Sequence, residues 1–313
     1  MNANHSESPK SLIEAVRHFS DIDRCNEKMV QVRWSDGRIV CPKCGSDRIG
    51  KIETRKMLRC KDCRKQFSYK AGTIFEDSPL GLDKWFVAVW SIANCKNGVS
   101  SAELARSLGV TQKSAWHMLH RIRLAMQTGS FSKMGGPGVE MECDETFVGG
   151  KAKNMHKAKR GQRVKGRGTV GKIVVQGLLE RGGRVRCGVV PNQKRATLQG
   201  KIRKHVEPGT TVYTDALASY CGLDAEYVHQ MIDHAKCYVE GRVHTNGIEN
   251  FWSCVKRCLN GTYISVSPWQ LYRYLDEQAF RFNERKACDA ERFSKVLSSV
   301  IGKRLTYVDL VEG

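Results

Sequence analysis

Two sets of side chains in this sequence are of types that hold metals. The first is marked by its spacing; the second, by spacing alone, is only one of the acidic triples any chain this long contains. Cys41 and Cys44 form one C-x2-C pair and Cys60 and Cys63 a second, with fifteen residues between the pairs. Each pair fits a tight turn, so four thiolates can face one point and close a tetrahedron around Zn²⁺. A shell of four protein sulfurs leaves no position open for substrate, which makes this zinc structural. The second set is acidic. Asp144 ends one apolar, alternating stretch, Asp215 ends another, and Glu249 lies thirty-four residues after Asp215 in a stretch of helical character. Two aspartates on strands and a glutamate on a helix can hold two Mg²⁺ ions, with Mn²⁺ as a substitute. Such a pair activates a water or a 3′-hydroxyl at a phosphodiester. At helical period Glu249 shares a face with Trp252 or Ser253 and with Lys256, which can hold a neighbouring phosphate. Glu142 and Glu145 stand beside Asp144, so chemistry alone leaves the choice within that cluster open.

These residues need elements to position them. In residues 139–144, Val139, Met141 and Cys143 alternate with polar residues, as expected of a half-buried strand running into Asp144. Residues 173–179 and 185–190 are further strand candidates around an Arg-Gly-Gly turn; a short strand over 211–214 leads into Asp215, and 227–232 gives one more. Helical patterns cover 197–206, 245–259 and 269–282, the last opened by Ser267-Pro268 as cap and first helical residue. Trp269, Tyr272, Phe280 and Phe282 are expected to pack that helix on the sheet. Strands first and helices later, within about 130 residues, predict an α/β or α+β unit.

The N-terminal half has another character. Residues 1–39 hold a loose tail and a short helix, and 40–75 are dense in Cys, Gly and turn residues around the two cysteine pairs. Apolar residues recur at helical spacing over 82–126, broken near Gly98 and at Gly109. Ser100 followed by Glu103 is a capping-box signature, and Thr111 can cap the next helix. A helix-turn-helix over 80–128 is expected, whose second helix carries Lys113, His117, Arg121 and Arg123 toward DNA. Arg59 and Arg64 on the cysteine-rich segment suit phosphate contacts. The glycine-rich stretch within 129–138 reads as a linker, 139–262 as the catalytic domain, and 263–313 as a C-terminal helical region.

Composition agrees with a polyanionic partner. Fifty-two Lys and Arg against thirty-two Asp and Glu leave a net charge of +20. Each basic group that neutralises a phosphate releases a condensed counterion, so such a surplus favours nucleic acid. Residues 151–167 hold eight Lys or Arg and no acid; Lys157, Arg160, Arg163 and Arg167 among them make a loop expected to close on DNA. The best apolar run, 85–93, is too short to span a membrane, and the N-terminus lacks the apolar core of a signal peptide. Thirteen cysteines without framework spacing point to a reducing compartment, so a cytoplasmic protein is expected, at the nucleoid through its DNA.

Taken together these motifs resemble the zinc-ribbon insertion-sequence transposases of the DDE superfamily, the ISXO-like group. The resemblance runs from about Arg33 to Asn283. It includes Arg33-Trp34-Ser-Asp-Gly with the cysteine pairs, Gly72-Thr73-Ile74-Phe75, and Glu142-Cys-Asp144-Glu-Thr146. Tyr213-Thr-Asp215, His244-Thr-Asn246-Gly-Ile-Glu249-Asn250-Phe-Trp252-Ser and Arg281-Phe282-Asn283 complete it. It implies an RNase H-like mixed sheet with flanking helices, with Asp144, Asp215 and Glu249 as metal ligands. Some relatives carry asparagine as third residue, which brings in Asn250 and Asn246. The implied activity is cleavage at the inverted ends of a mobile element and transfer of 3′-hydroxyl ends into double-stranded target DNA, by a homodimer or higher oligomer. A nuclease of the same fold that cuts without joining, and a regulator with a dead catalytic half, are the alternatives.

Overall fold

The computed structural model describes residues 9–127, 132–149, 171–232 and 243–312. The basic stretch 151–167 lies outside them, with Lys157, Arg160, Arg163 and Arg167. The chain divides into two compact units: residues 1–127 together with 286–313, and residues 128–285. Among the described residues no helix is long and apolar enough to cross a membrane.

The first unit opens with α1 (Leu12–Phe19) and α2 (Ile22–Arg33), followed by an antiparallel sheet of β1 (Ile49–Ile52), β2 (Met57–Cys60) and β3 (Gln66–Phe67). Next come α3 (Leu82–Asn94), α4 (Ser101–Leu108) and α5 (Gln112–Met126). Ser100 accepts the Glu103 N–H at 3.1 Å and Thr111 accepts the Ser114 N–H at 3.1 Å, so both expected caps form. Between them Gly109 takes a left-handed conformation with φ 61°, which only glycine adopts without cost and which ends α4 in one residue. An aromatic core holds this unit: Phe19 stands edge-on to Phe86 at 5.1 Å, and Phe293 packs against Phe19, Phe86 and Trp90.

The second unit is a five-stranded mixed sheet. β5 (Glu140–Val148), β6 (Ile173–Glu180) and β7 (Val185–Val190) are antiparallel neighbours. β9 (Thr211–Asp215) runs parallel to β5, and β10 (Val228–Ile232) parallel to β9, giving the order β10-β9-β5-β6-β7. On one face α6 (Arg195–His205) brings Leu198 and Ile202 to Met141, Cys143, Leu178 and Val212. On the other, α7 (Asn246–Arg257) and α8 (Leu271–Asn283) bring Ile248, Phe251, Trp252, Leu271 and Leu275 to Val175, Leu179 and Val185. A mixed sheet with helices on both faces is the RNase H-like layout expected from the motifs.

Three local features differ from the sequence reading. The glycine-rich stretch read as linker contains a short strand, β4 (Met134–Gly135), paired with β8 (Val206–Glu207), and Met134 is buried in the second unit's core. The last helical stretch is shared: α8 belongs to the second unit, while α9 (Asp289–Ser298) and α10 (Tyr307–Glu312) belong to the first. Trp269 and Tyr272 do not pack on the sheet; they are 43% and 40% exposed. The buried stripe of α8 runs through Leu271, Tyr274, Leu275 and Ala279, and Trp269, on a 3₁₀ turn, and Tyr272 fall outside it. Phe280 is buried and Phe282 packs on the α7 side as expected.

Candidate active site

Strand alternation sorts the acids around Asp144. Met141 and Cys143 face α6, so Glu140, Glu142 and Asp144 face α7. On β9 Val212 faces α6, which turns Tyr213 and Asp215 to the same side as Asp144. The parallel register sets Glu140 opposite Thr211 and Glu142 opposite Tyr213; carried two residues further, it brings Asp144 beside Asp215. Glu249 stands in the first turn of α7, the helix laid across β5 and β6. Asp144, in the middle of β5, and Asp215, at the end of β9, thus share the face crossed by α7, which carries Glu249 in its first turn.

Each has an oxygen held by a protein donor. Trp252 donates its indole N–H to Asp144 Oδ2 at 3.0 Å. The Leu217 N–H donates to Asp215 Oδ1 at 3.2 Å, and the Thr245 hydroxyl to Glu249 Oε1 at 3.2 Å. Trp252 fits because its strand neighbour is Gly177, paired with Asp144 across β5 and β6. A Cβ at Gly177 would lie 2.6 Å from the indole and 2.8 Å from Ile248 Cδ1.

Electrostatics give the cluster its character. Burial, reinforced by the charges of Asp215 and Glu249, pushes the Asp144 carboxyl up to about 6. Glu145, on the α6 face, is pushed up to about 8, by burial first and then by the charges of Asp144 and Asp215. Asp144 and Asp215 are half-buried and Glu249 is exposed, and carboxylate oxygens that share one neighbourhood suit a hard divalent cation. Asn246, Asn250 and Lys256 are exposed on the same helix. Lys256 lies in its last turn, two turns from Glu249.

Glu142 is a different kind of acid, only 1% exposed. It accepts the Ile248 N–H at 2.8 Å and Arg181 Nε–H at 3.0 Å, so its charge is spent inside the fold. Neither Arg181 nor this use of Glu142 was legible from spacing. The one available signal was the two-residue period that sets Glu142 and Asp144 on the same face.

In the first unit the four cysteines converge as expected. Their sulfurs lie within 4.8 Å of one another, with Cys41–Cys63 and Cys44–Cys60 each at 3.6 Å. Tetrahedral zinc bonded at about 2.3 Å requires sulfurs roughly 3.8 Å apart, so the donor set fits structural zinc. Among the described residues this is the one group of three or more such side chains whose donor atoms all approach within 4.8 Å. The three carboxylates are therefore spaced more widely than the sulfurs.

The expected DNA contacts divide in two. Lys113 is exposed at the start of α5, its ammonium 4.5 Å from the Tyr307 ring centroid, and Arg59 and Arg64 line a shallow groove on the cysteine-bearing sheet with Lys51 and Lys61. Arg121 and Arg123, 6% and 1% exposed, point inward instead. The Arg121 guanidinium donates to the Glu76 carbonyl and lies 5.6 Å from the Trp85 ring centroid. His117 is half-buried, its Nε2 3.3 Å from the Leu305 carbonyl. Residues 118–123 of α5 are buried without a break, so its second half is enclosed on every side and only its first turn is open to solvent.

Residues 134–283 match the family model of the ISXO2-like transposase domain, and residues 21–66 that of the transposase zinc-ribbon domain. A protein in transposable element ISH50 of Halobacterium salinarum is 29% identical over 276 residues, 83% of this chain and 90% of that protein. A transposase-like protein of Haemophilus influenzae is 41% identical over 96 residues, 30% of this chain and 77% of its own length.

Proposed function

This chain belongs to the zinc-ribbon insertion-sequence transposases of the DDE superfamily, and on that premise we propose that it binds the inverted ends of its own mobile element, cleaves a phosphodiester bond at each, and transfers the freed 3′-hydroxyl ends into target DNA. The observation that carries this reading is that Asp144 and Asp215 face α7, which bears Glu249 in its first turn, near enough for the charges of Asp215 and Glu249 to be felt at Asp144.

Two Mg²⁺ ions, or Mn²⁺ in their place, held by these three carboxylates would supply the positive charge that activates the attacking oxygen and stabilises the leaving one. The chain's own residues orient. Trp252, the Leu217 amide and the Thr245 hydroxyl each fix one carboxylate oxygen, which sets the direction of the other. Lys256 neutralises a phosphate next to the scissile one. The zinc ribbon, through Arg59 and Arg64, and the helix-turn-helix, through Lys113, hold the DNA backbone of the element's end. Processing two ends in one reaction calls for at least a homodimer, acting in the cytoplasm on nucleoid DNA.

A strand-transfer assay with labelled element ends tests the reading. A product both cut and joined, dependent on Mg²⁺, is expected. Cutting without joining would make the protein a nuclease, and end binding without either would make it a regulator.

A further inference from the structure

One side chain touches two of the elements that bear the carboxylates and the segment that leads into the third. Arg181 opens the turn after β6, 17% exposed at its side chain. On β5 its Nε donates to Glu142 at 3.0 Å, its Nη1 lies 3.7 Å from Glu140 Oε2, and its backbone N–H donates to the Glu140 carbonyl at 3.0 Å. On β9 its guanidinium lies 4.0 Å from the centroid of the Tyr213 ring, two residues before Asp215; the Tyr213 hydroxyl donates to Glu140 Oε1 at 2.7 Å. Ahead of α7, its Nη2 donates to the His244 carbonyl at 2.8 Å and lies 3.2 Å from that ring's Nδ1.

Glu142 carries the connection into the helix. Its second oxygen accepts the Ile248 N–H, one of the amides that a helix's first turn leaves without an internal partner. Gly247 permits this approach, since a Cβ there would lie 2.8 Å from the same oxygen. The next residue is Glu249. A buried ion pair made only for stability needs one carboxylate. Arg181 instead spans the strand of Asp144, the strand of Asp215 and the entry to the helix of Glu249, and a planar guanidinium with five donors is the group able to do so.

We propose that Arg181 is a positioning residue that sets the spacing of Asp144, Asp215 and Glu249, and thereby their affinity for divalent cation. The inference rests on the reading of those three carboxylates as the metal-holding set. Lysine keeps the charge but offers a single nitrogen, so Arg181→Lys should loosen the set without removing a ligand.

The test is titration calorimetry of Mn²⁺ on the full-length, zinc-loaded protein, with cleavage followed at several Mg²⁺ concentrations. Wild type should bind Mn²⁺ and Asp144→Asn should not. Arg181→Lys should bind at least about tenfold more weakly, the scale of loss when a group supporting metal ligands is changed. It should keep its affinity for element ends, and high Mg²⁺ should restore its cleavage rate. A merely structural role would lower the active fraction and leave the metal midpoint in place. His244→Ala removes the ring contact and leaves the carbonyl contact, and should show a smaller weakening of the same sign. Wild-type Mn²⁺ affinity in a folded Arg181→Lys protein would overturn the proposal. If that variant does not fold, unchanged affinity in His244→Ala would overturn it. Equal Mn²⁺ binding by wild type and Asp144→Asn would defeat the metal-site reading, and the inference with it.

Discussion

Trp252 holds Asp144 by a 3.0 Å hydrogen bond from its indole nitrogen to Oδ2. The ring lies over Gly177, which pairs with Asp144 on the adjacent strand, so an aspartate, a tryptophan and a missing side chain form one fitted unit. Gly177→Ala should therefore displace the indole. Overpacking of this kind costs about 1–3 kcal/mol, which thermal melting would read. Trp252→Phe keeps most of the packing and deletes the donor. It should remain folded while its strand-transfer rate falls, and a rate equal to wild type would show that the bond does not orient Asp144.

The catalytic assignment predicts a shared loss. Asp144→Asn and Asp215→Asn keep side-chain shape and remove the negative charge, so each should abolish both cutting and joining. Element-end binding, measured by gel shift, should remain near wild type. Glu249→Gln should behave the same way and Lys256→Ala more mildly, because it leaves the carboxylates in place. Activity retained in Glu249→Gln but lost in Asn250→Ala would move the third ligand to Asn250.

For the ribbon, elemental analysis of the purified protein should give one zinc per chain. Cys60→Ser removes one of four sulfurs and should cost that zinc together with end binding, because metal binding and folding are linked in so small a sheet. Metal-free wild-type protein would contradict the sulfur geometry.

The two halves of α5 should separate by assay. Lys113→Ala should weaken end binding and lower its salt slope by about one, as for the loss of one phosphate contact. Arg121→Ala should instead destabilise the fold by about 1–3 kcal/mol, since it leaves the Glu76 carbonyl without its donor. A lower salt slope with unchanged melting in Arg121→Ala would place that side chain on DNA after all.

The sequence by itself determined whatever is written in local spacing. Two C-x2-C pairs fix a sulfur tetrahedron because each pair is a single turn. Ser100, Gly109 and Thr111 set the ends of α4 and α5 because capping and left-handed turns act within a few residues. Alternating apolar residues predicted the strands that carry Asp144 and Asp215, although β5 does not end at Asp144 and runs on to Val148. What only the tertiary structure decided lies between segments distant in sequence. Spacing could not separate Glu142 from Asp144, since both face α7; Glu142 is bound by Arg181 and the Ile248 amide, and Asp144 by Trp252. Nothing near Arg181 in sequence announces that it reaches Glu140, Tyr213 and His244. Arg121 and Arg123 read as DNA contacts, but their half of α5 is buried on every side. Helical period fixes which residues share a face, but how much of the helix is covered is set by the elements that pack around it.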